Sequence, residues 1–229
     1  MIALQNVSFS YGKRAVFQDL DLAFEPGKFH AVLGANGCGK STLLKLVTGE
    51  LVPQSGRVSP VYADAFKRAR ALAVVTQEIP ERIPLTVRET VSLGFYAAGK
   101  PDSRKLEDVL ISLSIADLQK RMYGTLSGGQ KQRVWLARAL VQDTPFLLLD
   151  EPAGSLDAGF RQKLYRFLKE YAAGGRTVVM ATHDLHLAPG YADNAILLKA
   201  GRVLASGTPQ NILTPELLRE AFDLEEALP

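Results

Sequence analysis

Two rhythms of apolar and polar residues alternate along this chain. Leu20, Leu22 and Phe24 are interleaved with Asp19, Asp21 and Ala23, a strand-like period of two, and Glu25-Pro26-Gly27 then turns the chain. Phe29 to Leu33, Ala71 to Thr76, Phe146 to Leu149 and Thr177 to Ala181 are short apolar runs that predict strands buried on both faces. Ala195 to Lys199 and Arg202 to Ser206, joined by Ala200-Gly201, predict a hairpin. Lys40 to Thr48 predicts a helix. Strand-like and helix-like segments in alternation are the mark of a layered α/β fold.

The middle of the chain changes rhythm. No strong strand candidate lies between about 86 and 142. Thr86-Val87-Arg88-Glu89 has the form of a capping box, in which hydroxyl and carboxylate each satisfy an orphan backbone N–H. Leu106, Val109, Leu110 and Leu113 fall on one helix face. A second box, Ser127 to Gln130, opens a helix with Val134, Ala137 and Val141 along one side. A helical subdomain inserted between strands is expected at 78–142, with 1–77 and 143–229 forming the strand-bearing core.

Composition narrows the class. The 229 residues suffice for one generous domain, and 47% are apolar. Net charge is +3, too small to argue for a nucleic-acid partner. A single cysteine excludes a disulfide framework and a multi-cysteine zinc site. No run of 18 apolar residues predicts a membrane helix. The start, Met-Ile-Ala-Leu-Gln, lacks the basic and apolar stretches of a signal peptide, so a soluble cytoplasmic chain is expected.

Gly34-Ala35-Asn36-Gly37-Cys38-Gly39-Lys40-Ser41 fits the phosphate-loop spacing and lies between a predicted strand and a predicted helix, the context that motif requires. Its glycines let successive N–H groups point at phosphate oxygens, and the helix N-terminus adds its positive dipole end. Lys40 would neutralise β/γ-phosphate charge and Ser41 would ligate Mg²⁺. Cys38 has two readings: a thiol activated by the helix N-terminus, or a small residue tolerated in a crowded loop, which we favour. Phe146 to Leu149 ends in Asp150-Glu151. At the C-terminal end of a buried strand, Asp150 is suited to hold Mg²⁺ and Glu151 to deprotonate an attacking water. The two glycines that follow Ser127 expose N–H groups beside its hydroxyl, a second anion site.

Leu126-Ser127-Gly128-Gly129-Gln130 resembles the signature of ATP-binding cassette (ABC) ATPases, the motor subunits of ABC transporters. The resemblance covers nearly the whole chain. It implies a P-loop NTPase (RecA-like) core with an antiparallel β subdomain and an inserted α-helical subdomain. Ser127, Gly128, Gly129 and Gln130 would bind the γ-phosphate held by the phosphate loop of a second copy, so that two ATP are sandwiched in a homodimer. Tyr11 resembles the aromatic that stacks on adenine, with Val16 nearby, and Thr42 would extend the phosphate contacts. Gln77 resembles the glutamine that contacts Mg²⁺ and the attacking water, Asp157 belongs to the loop that crosses the dimer interface, and His183 resembles the switch histidine on the γ-phosphate. Every catalytic position matches, which implies an active ATPase.

A motor without a membrane span implies separate permease subunits, and the chain would then sit on the cytoplasmic face of the inner membrane through them. Ile79 to Ala98 is a plausible floor for the docked permease helix. Thr125 to Gln130, Gln142-Asp143-Thr144-Pro145 and Gly207 to Phe222 resemble the ATPases of iron-siderophore, haem and cobalamin importers, which implies a substrate-binding protein as well. Two stretches depart from that subgroup: Glu151 to Ser155, and Ser92-Leu93-Gly94-Phe95. Other importers and exporters are the alternatives. Chromosome-type ABC ATPases need long coiled-coil insertions and ribosome-type members two cassettes, and this chain has neither; a non-hydrolysing regulator conflicts with Glu151 and His183.

Overall fold

The computed structural model describes residues 1–185 and 188–223, and its contacts divide the chain into two compact units, residues 1–63 with 165–229 and residues 64–164. The second unit takes in the whole of 78–142 together with two strands.

The first unit begins with β1 (Ile2–Tyr11) and β2 (Arg14–Phe24), an antiparallel pair. Its alternation is broken by bulges. Asn6 and Asp19 both adopt positive φ, and each is tied across the pair: Asn6 N–H donates to Asp21 Oδ1 and Asp19 N–H to Ser8 Oγ. A bulge shifts the pleat by one residue, which is why β1 does not read as a clean period of two. Next come β3 (Phe29–Leu33), buried at all five positions, α1 (Lys40–Thr48) and β4 (Ser55–Ser59), which pairs antiparallel with β1. The three-stranded order β2-β1-β4 is the antiparallel subdomain that the motifs imply.

The second unit holds α2 (Ala65–Ala71), β5 (Leu72–Val75), α3 (Val87–Ser92), α4 (Phe95–Ala98), α5 (Ser103–Ser112), α6 (Gly128–Val141) and β6 (Phe146–Asp150). The boundary between the units falls inside α7 (Ala158–Ala173). β5 and β6 pair in parallel. Both capping boxes form: Thr86 with Glu89 opens α3, and Ser127 with Gln130 opens α6. Along α6, Val134, Leu136 and Leu140 are at most 3% exposed, each contributing roughly 1.5–3 kcal/mol of burial. Gly94 permits a close helix approach, since a Cβ there would lie 2.2 Å from Arg138 O on α6. That contact accounts for the glycine in Ser92-Leu93-Gly94-Phe95.

The first unit resumes with β7 (Thr177–Thr182), α8 (Ala188–Tyr191), β8 (Asn194–Lys199), β9 (Arg202–Gly207), α9 (Pro209–Ile212) and α10 (Pro215–Phe222). β3 lies between β7 and β8, parallel to both, and β8 turns back on β9 as the predicted hairpin. Among the described residues no helix is long and apolar enough to cross a membrane.

Candidate functional site

The phosphate loop leaves the buried end of β3 and is backed by its own unit. A Cβ on Gly34 would lie 2.4 Å from Leu198 O, and one on Gly39 2.8 Å from Phe17 Cζ. Gly201, in the β8–β9 turn, donates its N–H to Cys38 O at 3.1 Å, and a Cβ there would sit 1.6 Å from Val16 O. The other side is open: among the described residues nothing lies within 4 Å of a Cβ built on Gly37. Gly39 is the N-cap of α1 and has no side chain to cap it, so α1 starts without a side-chain cap and its positive dipole end faces the loop. Lys40 is 6% exposed, and its ammonium donates to Gly34 O at 2.7 Å and Ala35 O at 3.2 Å. The loop thus presents a buried cation in front of a packed back wall of its own unit.

Ser41 is half-buried and Thr42 buried on the first turn of α1, whereas Asn36 and Gly37 are exposed at the loop tip. Burial pushes the Cys38 thiol up, and the Lys40 charge beside it only partly opposes this. The structure therefore favours the inert reading of Cys38. Val16 is half-buried beside Gly39, and Tyr11 is exposed at the end of β1, edge-on to Phe9 with ring centroids 4.9 Å apart.

Strand register brings His183 to the same end as the loop. Leu33 and Thr182 are partners on adjacent parallel strands, so Gly34 and His183 follow at matching positions. Ligands of open α/β sheets collect at this carboxyl end. His183 itself is exposed. The chain beyond it is pinned: Asp184 N–H donates to Thr182 Oγ1, and the Tyr165 hydroxyl donates to Asp184 Oδ2 at 3.0 Å.

The second unit repeats the arrangement. Val75 and Leu149 are register partners, so Thr76-Gln77 and Asp150-Glu151 leave neighbouring parallel strands side by side. Gln77 is exposed, Asp150 is 8% exposed, and Glu151 is half-buried with φ +48°. A left-handed non-glycine residue at a strand end costs of order 1–3 kcal/mol and persists where the surroundings fix it. The donors offered at these two strand ends are amide and carboxylate oxygens, the chemistry a hard divalent cation takes.

Ser127 and Gln130 are engaged in their own cap: Gln130 N–H donates to Ser127 Oγ at 3.4 Å, and Ser127 N–H to Gln130 Oε1 at 3.1 Å. Gly128 is exposed and Gly129 half-buried. A Cβ on Gly129 would lie 2.9 Å from Ser155 O, so the signature turn packs against the loop that carries Asp157. Arg133 ties the two together. It donates to Asp157 Oδ2 at 3.2 Å and lies 3.7 Å over the Phe160 ring. Asp157 also accepts the Phe160 N–H, which together with the Arg133 charge holds its carboxyl below the usual range.

Neither Arg133 nor Tyr165 stands out in the sequence, and Gly201 reads there only as a hairpin turn. Arg133 lies one turn beyond Gly129, a spacing that was available to notice; Gly201 and Tyr165 act through contacts distant in sequence.

A family model described as ABC transporter matches residues 17–154. A hemin import ATP-binding protein of Rhizobium meliloti is 36% identical, aligned over 97% of this chain and 91% of its own length. The corresponding hemin import ATP-binding protein of Chelativorans is 38% identical over 98% and 92%. Among solved structures, a metal-chelate type ABC transporter in an inward-facing conformation superposes with TM-score 0.83 at 32% identity, over 97% of this chain and 88% of that one. A bacterial ABC transporter cassette solved as a dimer gives 0.82 at 29%, over 91% and 99%.

Proposed function

Because the chain belongs to the ABC transporter family and is an ATP-hydrolysing motor subunit of such a transporter, we propose that its two anion-binding turns act on ATP in pairs, each in a different copy. The phosphate loop of one copy (Gly34, Asn36, Gly37, Cys38 and Gly39, with Lys40, Ser41 and Thr42) takes the phosphates, and Tyr11 with Val16 takes the adenine. Ser127, Gly128, Gly129 and Gln130 of the second copy close over the γ-phosphate, and Asp157 lies at the seam. Ser41, Gln77 and Asp150 are the residues that would hold Mg²⁺. When bound, the cation supplies charge neutralisation on the phosphate oxygens. Glu151 accepts the proton of the attacking water, Gln77 and His183 orient water and γ-phosphate, and Lys40 offsets the charge that develops.

Residues 78–142 form the arm that carries the signature, with Ile79 to Ala98 facing the permease. The partners in this reading are a second copy, an integral permease and a substrate-binding protein, and the chain works at the cytoplasmic face of the membrane through the permease. The cargo is hemin or a related iron chelate taken inward. The names of the relatives support that choice, since they match nearly end to end.

The observation that supports the hydrolytic roles is the register of β5 and β6, whose last partners, Val75 and Leu149, stand just ahead of Thr76-Gln77 and of the buried Asp150 with its left-handed Glu151. Glu151→Gln tests it. Turnover falls by about 10²–10⁴ and ATP holds the variant as a dimer in size-exclusion chromatography. A monomer with ATP that still hydrolyses normally overturns both the base and the sandwich. For the cargo, hemin-loaded binding protein stimulates the ATPase of the chain reconstituted with its permease, and absence of stimulation removes hemin.

A further inference from the structure

Among the described residues Tyr123 is the largest of the fully buried side chains, with 0% exposure, and it stands four residues before Ser127. Its hydroxyl donates to Pro80 O at 2.6 Å and accepts the Trp135 Nε1–H at 2.8 Å. Its own N–H donates to Leu85 O at 2.9 Å. One residue therefore pins both ends of the segment 80–85, which begins three residues after Gln77. The segment is held upstream as well, because Thr76 Oγ1 donates to Glu78 O at 2.7 Å. Trp135 lies on α6, two turns beyond Ser127, so the hydroxyl is bonded on one side to the chain leaving Gln77 and on the other to the signature helix.

A hydrophobic side chain would fill this space without a polar atom to place. Burying a hydroxyl is tolerated because both of its bonds are made, and burial pushes that phenol up, which keeps it a donor. Pro80 carries no backbone N–H, so its carbonyl is the one main-chain hydrogen-bonding group the residue has. Fixed donor and acceptor on opposite sides of one oxygen set the distance between the two elements more narrowly than apolar contact does.

We propose that Tyr123 is a positioning residue for ATP hydrolysis: its hydroxyl couples the Gln77 segment to the signature helix, so that Gln77 is set in place together with Ser127. The proposal rests on the role given above to Gln77, and the test separates the two. Steady-state ATPase is measured on the full chain carrying Tyr123→Phe, Gln77→Ala, or both, with thermal midpoints alongside. Tyr123→Phe lowers kcat about five- to tenfold while KM for ATP changes less than about twofold. In the Gln77→Ala background it adds nothing further, since the group it positions is gone. Trp135→Phe, which keeps the phenol and removes the N–H that orients it, gives the same pattern at smaller amplitude and serves if Tyr123→Phe fails to fold. An unchanged kcat in Tyr123→Phe, or a double variant that falls by the product of the single effects, overturns the coupling. An unchanged kcat in Gln77→Ala alone overturns the assignment of Gln77, and the coupling with it.

Discussion

The phosphate loop and the signature turn both open a helix with glycine and present backbone N–H groups, yet they are held in opposite ways. The phosphate loop has no side-chain cap of its own. Its shape comes from behind, from Phe17 on β2, Leu198 on β8 and Gly201 in the following turn, residues that lie far away in sequence. The signature turn is closed by its own residues, Ser127 and Gln130, three positions apart. Its longer-range contacts, Gly129 against Ser155 and Arg133 to Asp157, reach the loop after β6 in the same unit. A glycine turn at the start of a helix can thus be held either by a packed wall or by a local capping box, and the two should fail differently.

The largest contrast is expected at Gly201. An added methyl must enter a backbone with φ +77° and displace Val16 O, so Gly201→Ala costs about 3 kcal/mol and lowers Tm by about 6–12 °C. Nucleotide affinity falls with it, because the same methyl pushes on the wall of the phosphate loop. Differential scanning calorimetry with and without ATP measures both. A milder loss than in the capping variant below would show that the wall is not what holds the loop.

At the signature turn the cost is smaller and local. Ser127→Ala removes one cap, about 1 kcal/mol, and shifts Tm by about 2–4 °C. ATP binding to the monomer stays at the wild-type level by calorimetric titration, and ATP-dependent dimer formation falls. Loss of monomer binding in Ser127→Ala would break the separation of the two sites.

The smallest effects are those of pH, and they divide by unit. In the first unit His30 is 1% exposed, and burial above all holds its imidazole below the ordinary value of about 6.5. The stability tied to its neutral form is present above that value and declines as pH falls, because the unfolded chain takes up the proton first. In the second unit the Phe160 N–H lowers the Asp157 carboxyl, and the Thr86 backbone lowers Glu89. Both groups are solvent-exposed, and their contribution is present above about 4 and is lost only as pH falls through the lowered native values. NMR titration of the His30 ring and of the two carboxyl carbons checks the order. A His30 midpoint at or above 6.5 would contradict it.

Legibility in the sequence followed the same division. Both capping boxes, the Lys40–Thr48 helix and the β8–β9 hairpin form where their residues predict them, because each is specified by neighbours within a few positions. β1 was not evident, since the bulges at Asn6 and Asp19 break its alternation. α7 escaped as well, and so did the basic helix α2, which buries none of its residues and so shows no apolar stripe. Glu151 could be read as an acidic residue after an apolar run. Its left-handed backbone, and the pairing of β6 with the strand that leads to Gln77, are features of the folded chain.

What this sequence determined alone is the set of chemical parts and their local frames: a phosphate loop after a strand, a capped glycine turn, and acids at a strand end. Those depend on spacing within a handful of residues, which the chain carries explicitly. Only the tertiary structure decided how the parts are held. Parallel pairing put Leu33 beside Thr182 and Val75 beside Leu149, just ahead of the candidate residues, and close packing set Gly201 against Val16, Arg133 against Asp157 and Tyr123 against Pro80. Such contacts arise between residues as far apart as Val16 and Gly201, where hydrogen-bond register and steric fit act and sequence spacing gives no signal.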